Sequence, residues 1–229
     1  MARLSIQEIM QSVGSLVNQE PTMPTAGGSE YNLWLEFINR ATREWSEAND
    51  WEVLKKTYFP GVTGVSMATV SLPQDYKKMA ASPKLWVDSL EEGEDFAEIP
   101  EDTAGLYQST DKYVYETGDI SSGFSLVFHP GTLASGASLQ IVYYSTPTSL
   151  ASPAQVPLVT DSEFLIDRTI AYIFEGRSDS RFQEQEVKAR DRLMQMVENA
   201  NLSKYNSYSN PQYVMTAPEK KQGFRIGRD

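Results

Sequence analysis

A chain of 229 residues, 40% apolar and 22% charged, can bury a core without disulfide or metal staples. This composition excludes wholesale disorder, collagen and long coiled coil. Cysteine is absent, which excludes disulfides, zinc–thiolate sites, iron–sulfur clusters and thiol catalysis, and the single histidine, His129, excludes a multi-histidine metal site. The formal charge of −11 is unevenly spread: residues 202–229 carry Lys204, Lys220, Lys221, Arg225 and Arg228 against Glu219 and Asp229, so the first 201 residues hold −14. A body of that sign repels a phosphate backbone, and nucleic-acid binding by counterion release is not expected. No apolar run reaches the ~18 residues a membrane span needs. Gln7, Glu8, Gln11 and Ser12 interrupt any leader-like apolar run, so an intracellular chain is expected.

In chain order, Ser5 and Glu8 make a capping box that opens a short helix to Asn18, with Ile6, Ile9, Met10, Val13, Leu16 and Val17 on one stripe. Residues 20–29 (EPTMPTAGGS) read as a linker by their Pro and Gly. A second helix is predicted over Ser29–Asn49. Its inner face would carry Trp34, Leu35, Ile38, Ala41, Trp45 and Ala48, with Glu36, Arg40, Arg43, Glu44 and Glu47 outside. After Trp51 the pattern changes to short β-branched or aromatic runs separated by Gly, Pro and Ser: Thr57–Phe59, Val62–Val70, Leu85–Leu90, Tyr113–Glu116, Phe124–Phe128 and Ser138–Tyr144. Such runs predict an antiparallel sandwich or small barrel. Residues 146–159 form a proline-rich connector, and Thr160 with Glu163 spells a second capping box. The helix it opens should run from Ser162 to about Arg177 and bury Phe164, Leu165, Ile170, Ala171, Ile173 and Phe174. After a break at Ser178–Ser180, a long helix carrying Val187, Leu193, Met194, Met196 and Val197 should reach about Asn201. Residues 202–229 have no period and read as an extended tail, disordered when alone.

The expected fold is therefore α+β. Helices in residues 1–50 and 161–201 form one bundle, a β block over 51–160 is inserted between them, and the tail of 202–229 follows. Neither helix pair buries its apolar stripe without the other.

Charge distribution within the β block is unusual. Ile120–Thr160 contains no Asp, Glu, Lys or Arg, and Thr57–Gln74 has only Ser, Thr, Gly and apolar or amide side chains. Exposed strands ordinarily carry charge, partly to block edge pairing. Two readings stand side by side: a hydroxyl-rich sheet facing water, or surfaces covered by a neighbouring subunit. By contrast, Asp88–Asp119 crowds eleven acids against Lys112. The Glu91–Asp95 run lacks calcium-loop spacing, so a solvated acidic loop is the default, with an electrostatic role in an assembly as the alternative.

Chemistry-bearing motifs are missing. Neither phosphate-cradling glycine pattern occurs, nor GxSxG; Gly118–Gly123 is a serine-rich turn. His129, in Phe128–His129–Pro130, reads as a turn or core hydrogen-bonder. Trp34, Trp45, Trp51 and Trp86 read as packing aromatics. No catalytic, cofactor or metal residues are assigned.

The order of elements nonetheless carries a pattern. Trp34–Leu35, Ile38 and Ala41 are followed by Trp45 and Trp51, then Ser71–Leu72–Pro73–Gln74–Asp75–Tyr76. Leu126–Pro130, Ile141–Tyr144, Val156–Pro157–Leu158 and a closing helix pair come next. Between Tyr31 and Ala200 this resembles the head-to-tail adaptor (connector) proteins of tailed bacteriophages, including the tail tubular protein A group. In that pattern the first helix and the tail are not fixed features. The resemblance implies a structural virion protein, not an enzyme, in a ring commonly of twelve copies beneath the portal. The ring would bind portal on one side and tail or nozzle proteins on the other, with DNA passing through unread. On that reading the basic tail meets the portal, through Tyr213, Lys220, Lys221, Phe224, Arg225 and Arg228. The alternatives are a tail-tube or tail-terminator subunit, against which four substantial helices argue, and a carbohydrate-binding or hydrolytic β module.

Overall fold

The structure, a computed structural model, describes residues 3–60, 69–86, 94–107, 111–119, 121–129 and 138–208, with Trp86, Glu94 and 203–208 described by backbone alone. Helix α1 (Ile6–Val17) opens with the expected capping box, Ser5 accepting from the Glu8 backbone and the Glu8 carboxylate accepting from Ser5 N–H at 2.7 Å. Ile6, Ile9, Met10 and Val13 are buried, but Leu16 is exposed because the stripe narrows where the chain turns away. Helix α2 (Ser29–Ala48) buries Trp34, Ile38, Ala41 and Trp45; Ala48 lies exposed at its end. Helix α3 (Ser162–Gly176) buries all six apolar residues expected of it. Its N-cap is Asp161, accepting from Glu163 N–H at 3.0 Å, and not Thr160 as the capping-box spacing predicts. A carboxylate one residue nearer the helix satisfies the same orphan donors.

Helix α4 (Phe182–Tyr208) continues past Asn201, so the first residues of the expected tail are helical. Met196 is buried and Leu193 and Val197 are partly so, whereas Val187 and Met194 point outward. α3 packs against α1, α2 and α4, and one core draws on all four helices. Its largest fully buried members, Trp34, Trp45 and Phe164, are each worth roughly 1.5–3 kcal/mol of burial.

Among the described residues eight strands form two sheets. β1 (Lys55–Tyr58), β3 (Tyr76–Trp86), β4 (Glu94–Asp95) and β8 (Ser138–Ser145) make the first, in the order β1-β8-β3-β4. β2 (Thr69–Ser71), β5 (Ala97–Glu98), β6 (Tyr113–Asp119) and β7 (Gly123–His129) make the second, in the order β2-β7-β6-β5. The β5–β6 pairing is parallel, which corrects the all-antiparallel expectation; the 3-10 helix Glu101–Leu106 lies between the two strands and allows the chain to return in the same direction. β3 begins well before the predicted Leu85, since pairing to β8 along its length overrides the weak strand propensity of Lys77–Ser82. The predicted strand over Val62–Val70 lies mostly outside the described residues. Both sheets bury side chains in one shared core: Leu85, Leu139 and Ile141 from the first, Val70, Val114, Leu126 and Phe128 from the second.

The proline-rich connector is tied down. Leu150 exchanges two hydrogen bonds with the Asn39 side chain, at 2.7 and 3.0 Å, and Ile6 and Gln7 donate to Gln155 and Pro153 carbonyls. Leu150 and Val159 join the helical core.

Candidate interface surfaces

The six residues expected to contact a portal, Tyr213, Lys220, Lys221, Phe224, Arg225 and Arg228, lie outside the described residues. The helix leading toward them is held by a polar clasp. Asp167, buried on α3, accepts from Arg192 Nε at 2.9 Å, Lys188 Nζ at 2.8 Å and Gln185 Nε2 at 3.0 Å. These three α4 positions stand three and four residues apart, the spacing that lines one helix face. Beside them Arg168 pairs with both Glu44 and Glu186, and Tyr172 donates to Glu44 at 2.9 Å. Glu44, expected to face outward, thus joins α2 to α3. Burial, with the Glu44 carboxylate next in size, raises the Tyr172 pKa. Helical phase alone misses Asp167 because it falls within a buried face; the Gln185, Lys188 and Arg192 spacing was the available signal.

For β7 and β8 the missing charge has an internal explanation, which does not extend to β2, a charge-free strand at the edge of its sheet. β7 and β8 are each interior strands of their sheets, so neither presents an edge that charge must protect. In the first sheet charge comes from the neighbours: Lys55 and Lys78 flank Tyr144, and Lys84 lies opposite Gln140. Five of the chain's ten lysines (Lys55, Lys56, Lys77, Lys78 and Lys84) lie on β1 and β3. Asp75 anchors this sheet to the connector. It pairs with Lys56 at 2.5 Å, accepts from Tyr143 O–H at 3.0 Å, and its carbonyl accepts from Thr146 N–H at 2.7 Å. Burial works against the Asp75 charge, but the Lys56 and Tyr143 donors outweigh it and its pKa lies below the ordinary value. Burial, reinforced by Asp75, pushes Tyr143 up to about 12.

Phe59, just past β1, is an exposed apolar group, and others lie farther from this sheet. Leu106, 84% exposed, and Tyr107 stand at the end of the 3-10 helix. Val156 and Leu158 of the connector are also exposed, beside a cavity of about 260 Å³ that they line with Thr42, Pro147 and Leu150. A second cavity, about 330 Å³, opens between α2 and α3 at Leu33, Phe37 and Ile173.

His129 behaves as a hydrogen-bonder, with Nδ1 3.2 Å from the Asp111 carbonyl and its ring stacked on Tyr113 at 4.6 Å. The turn after Gly118 is organised by Asp119, which accepts from Ser121 and Ser122 N–H groups at 2.7 Å; these bonds, foremost that from Ser122, hold its carboxyl well below the usual range. Among the described residues no group of three or more His, Asp or Glu is placed to hold a metal ion, and no helix is long and apolar enough to cross a membrane.

No curated protein matches the chain. A family model described as SU10 adaptor protein matches residues 4–213. The match takes in α1, which the motif resemblance left outside its fixed part, along with both sheets and all of α4. The chain belongs to the SU10 adaptor protein family, in agreement with its resemblance to phage head-to-tail adaptors.

Proposed function

We propose that this protein is a structural virion component that assembles as a ring, of about twelve copies on the family resemblance, beneath the portal of a tailed phage. It extends the DNA channel and provides the attachment site for tail or nozzle proteins. The observation that carries this reading is the family match over residues 4–213, nearly the whole chain. The helices of 1–50 and 161–201 serve as one unit, the β block of 51–160 as an insertion, and residues 202–229 as the portal-binding segment.

Two physical features support it. A body of −14 lining a channel repels phosphates and lets DNA slide without trapping it in salt bridges. A segment of opposite charge, with Tyr213 and Phe224 as apolar anchors, suits a groove on a partner. Negative-stain microscopy and native mass spectrometry of the full chain, alone and mixed with purified portal, test the reading. Rings on the portal are expected; a chain that stays monomeric and unbound in the mixture sinks it.

A further inference from the structure

The Asp167 clasp fixes which side of α4 meets water. With Ala189 and Met196 buried and Arg192 turned to α3, Val187, Met194 and Leu202 stand outside, 56%, 55% and 60% exposed. They are seven and eight residues apart, about two helical turns each, so they form one apolar line along the helix. Glu184, Asp191 and Glu198, also exposed and spaced by seven, run beside it. None of these three acids has an ion pair among the described residues. The cations of the same helix are engaged elsewhere: Lys188 and Arg192 on Asp167, and Arg190 on Glu186.

Such a face selects its occupant by charge. A second α4 would bring a like acidic row against it, and a phosphate backbone is repelled, so the fitting partner is basic and carries apolar groups. Residues 209–229, which follow α4 and lie outside the described residues, answer that description. They hold Lys220, Lys221, Arg225 and Arg228 against two acids, with Tyr213 and Phe224 among them. We infer that this segment docks on the outer face of its own α4, its aromatics on the apolar line and its cations against the acids.

Reach and tethering both favour the chain's own tail. It begins at the end of the helix it covers. Its 21 residues span up to about 70 Å, roughly twice the ~36 Å from Tyr208 back to Glu184. The tether supplies an effective concentration in the millimolar range, so contacts too weak to join two separate molecules suffice. The same residues are expected to meet the portal, so the portal must displace them from α4. That consequence rests on the function proposed above, whereas the docking itself does not.

Trypsin cuts after Lys220, Lys221 and Arg225, so it reads the state of the tail directly. In low salt the full chain should be cut there about fivefold more slowly than a peptide of residues 209–229, at a rate unchanged by tenfold dilution. Asp191→Asn with Glu198→Gln should remove the protection, and so should Met194→Ser; all three positions are exposed, so the fold is kept. Salt at about 0.5 M should close the gap to the peptide as well. A tail cut as fast as the peptide overturns the docking, as does protection that survives both variants. Protection that grows with concentration assigns the face to a second copy and overturns it too. A tail docked about four-fifths of the time lowers the apparent portal affinity about fivefold, so the Asp191→Asn, Glu198→Gln chain should bind portal about fivefold more tightly. Unchanged portal affinity in that chain overturns the competition. A protected tail in a chain that binds no portal overturns the portal-binding reading and leaves the docking standing.

Discussion

Asp167 and Arg192 meet at 2.9 Å across the α3–α4 interface, with the aspartate side chain 1% exposed. A carboxylate so buried is tolerable because three α4 side chains donate to it. The pair sets the rotation of α4 on α3 and so the direction in which the helix leaves the core.

Asp167→Ala removes the acceptor of all three donors. Hydrogen bonds to charged groups are worth about 1.5–3 kcal/mol, and Lys188 and Arg192 are exposed enough to regain water, so a loss of about 2–3 kcal/mol is expected. Urea unfolding should show a lower midpoint with an unchanged slope.

Gly14 lies where the chain after α1 folds back over the helix. A Cβ there would sit 2.4 Å from the Thr22 carbonyl oxygen, a backbone atom that cannot swing aside. Gly14→Ala should destabilise the fold by about 1–3 kcal/mol, despite alanine's better helix propensity. A rise in melting temperature would show that residues 20–28 shift freely.

The Asp75–Tyr143 pair makes stability pH-dependent at both ends. Tyr143 holds its proton to about 12 in the fold, against an ordinary value of 10.0. Its contribution is complete below pH 10 and is lost as pH rises toward 12. Asp75, lowered in the fold, contributes above the usual carboxylate range, and that contribution is lost as pH falls through its folded value. Tyr143→Phe should flatten the alkaline loss in unfolding measured at pH 9, 10 and 11.5.

Deleting residues 210–229 removes every expected portal anchor and leaves α4 entire to Tyr208. The truncated chain should keep its circular dichroism spectrum and lose portal binding in a pull-down. Retained binding would place the portal contact on the described body.

The amphipathic helices were legible because one-sided burial imposes a 3.6-residue period, and α1 was read down to its capping box; α3 is buried nearly all round, so its six expected residues were found but Ile166 and Tyr172 were missed. Val187 and Met194 misled the reading of α4, since an apolar residue on a helix does not declare which side faces the core. The missing charges on β7 and β8 were equally visible, but their reason was not: only strand order places both strands inside their sheets.

The sequence by itself determined the element types, the α+β composition, the separation of an acidic body from a basic end, and the exclusion of cysteine chemistry and of a multi-histidine metal site. These follow from local periodicity and from counting, which need no long-range contact. Tertiary structure alone decided that Asp167 would gather three donors, that β5 would run parallel to β6, and that Leu106 would stand exposed while the connector left a groove open. Each of these joins residues far apart in the chain, or depends on what fails to cover them. Burial is a property of the folded neighbourhood, and no stretch of sequence contains its own neighbours.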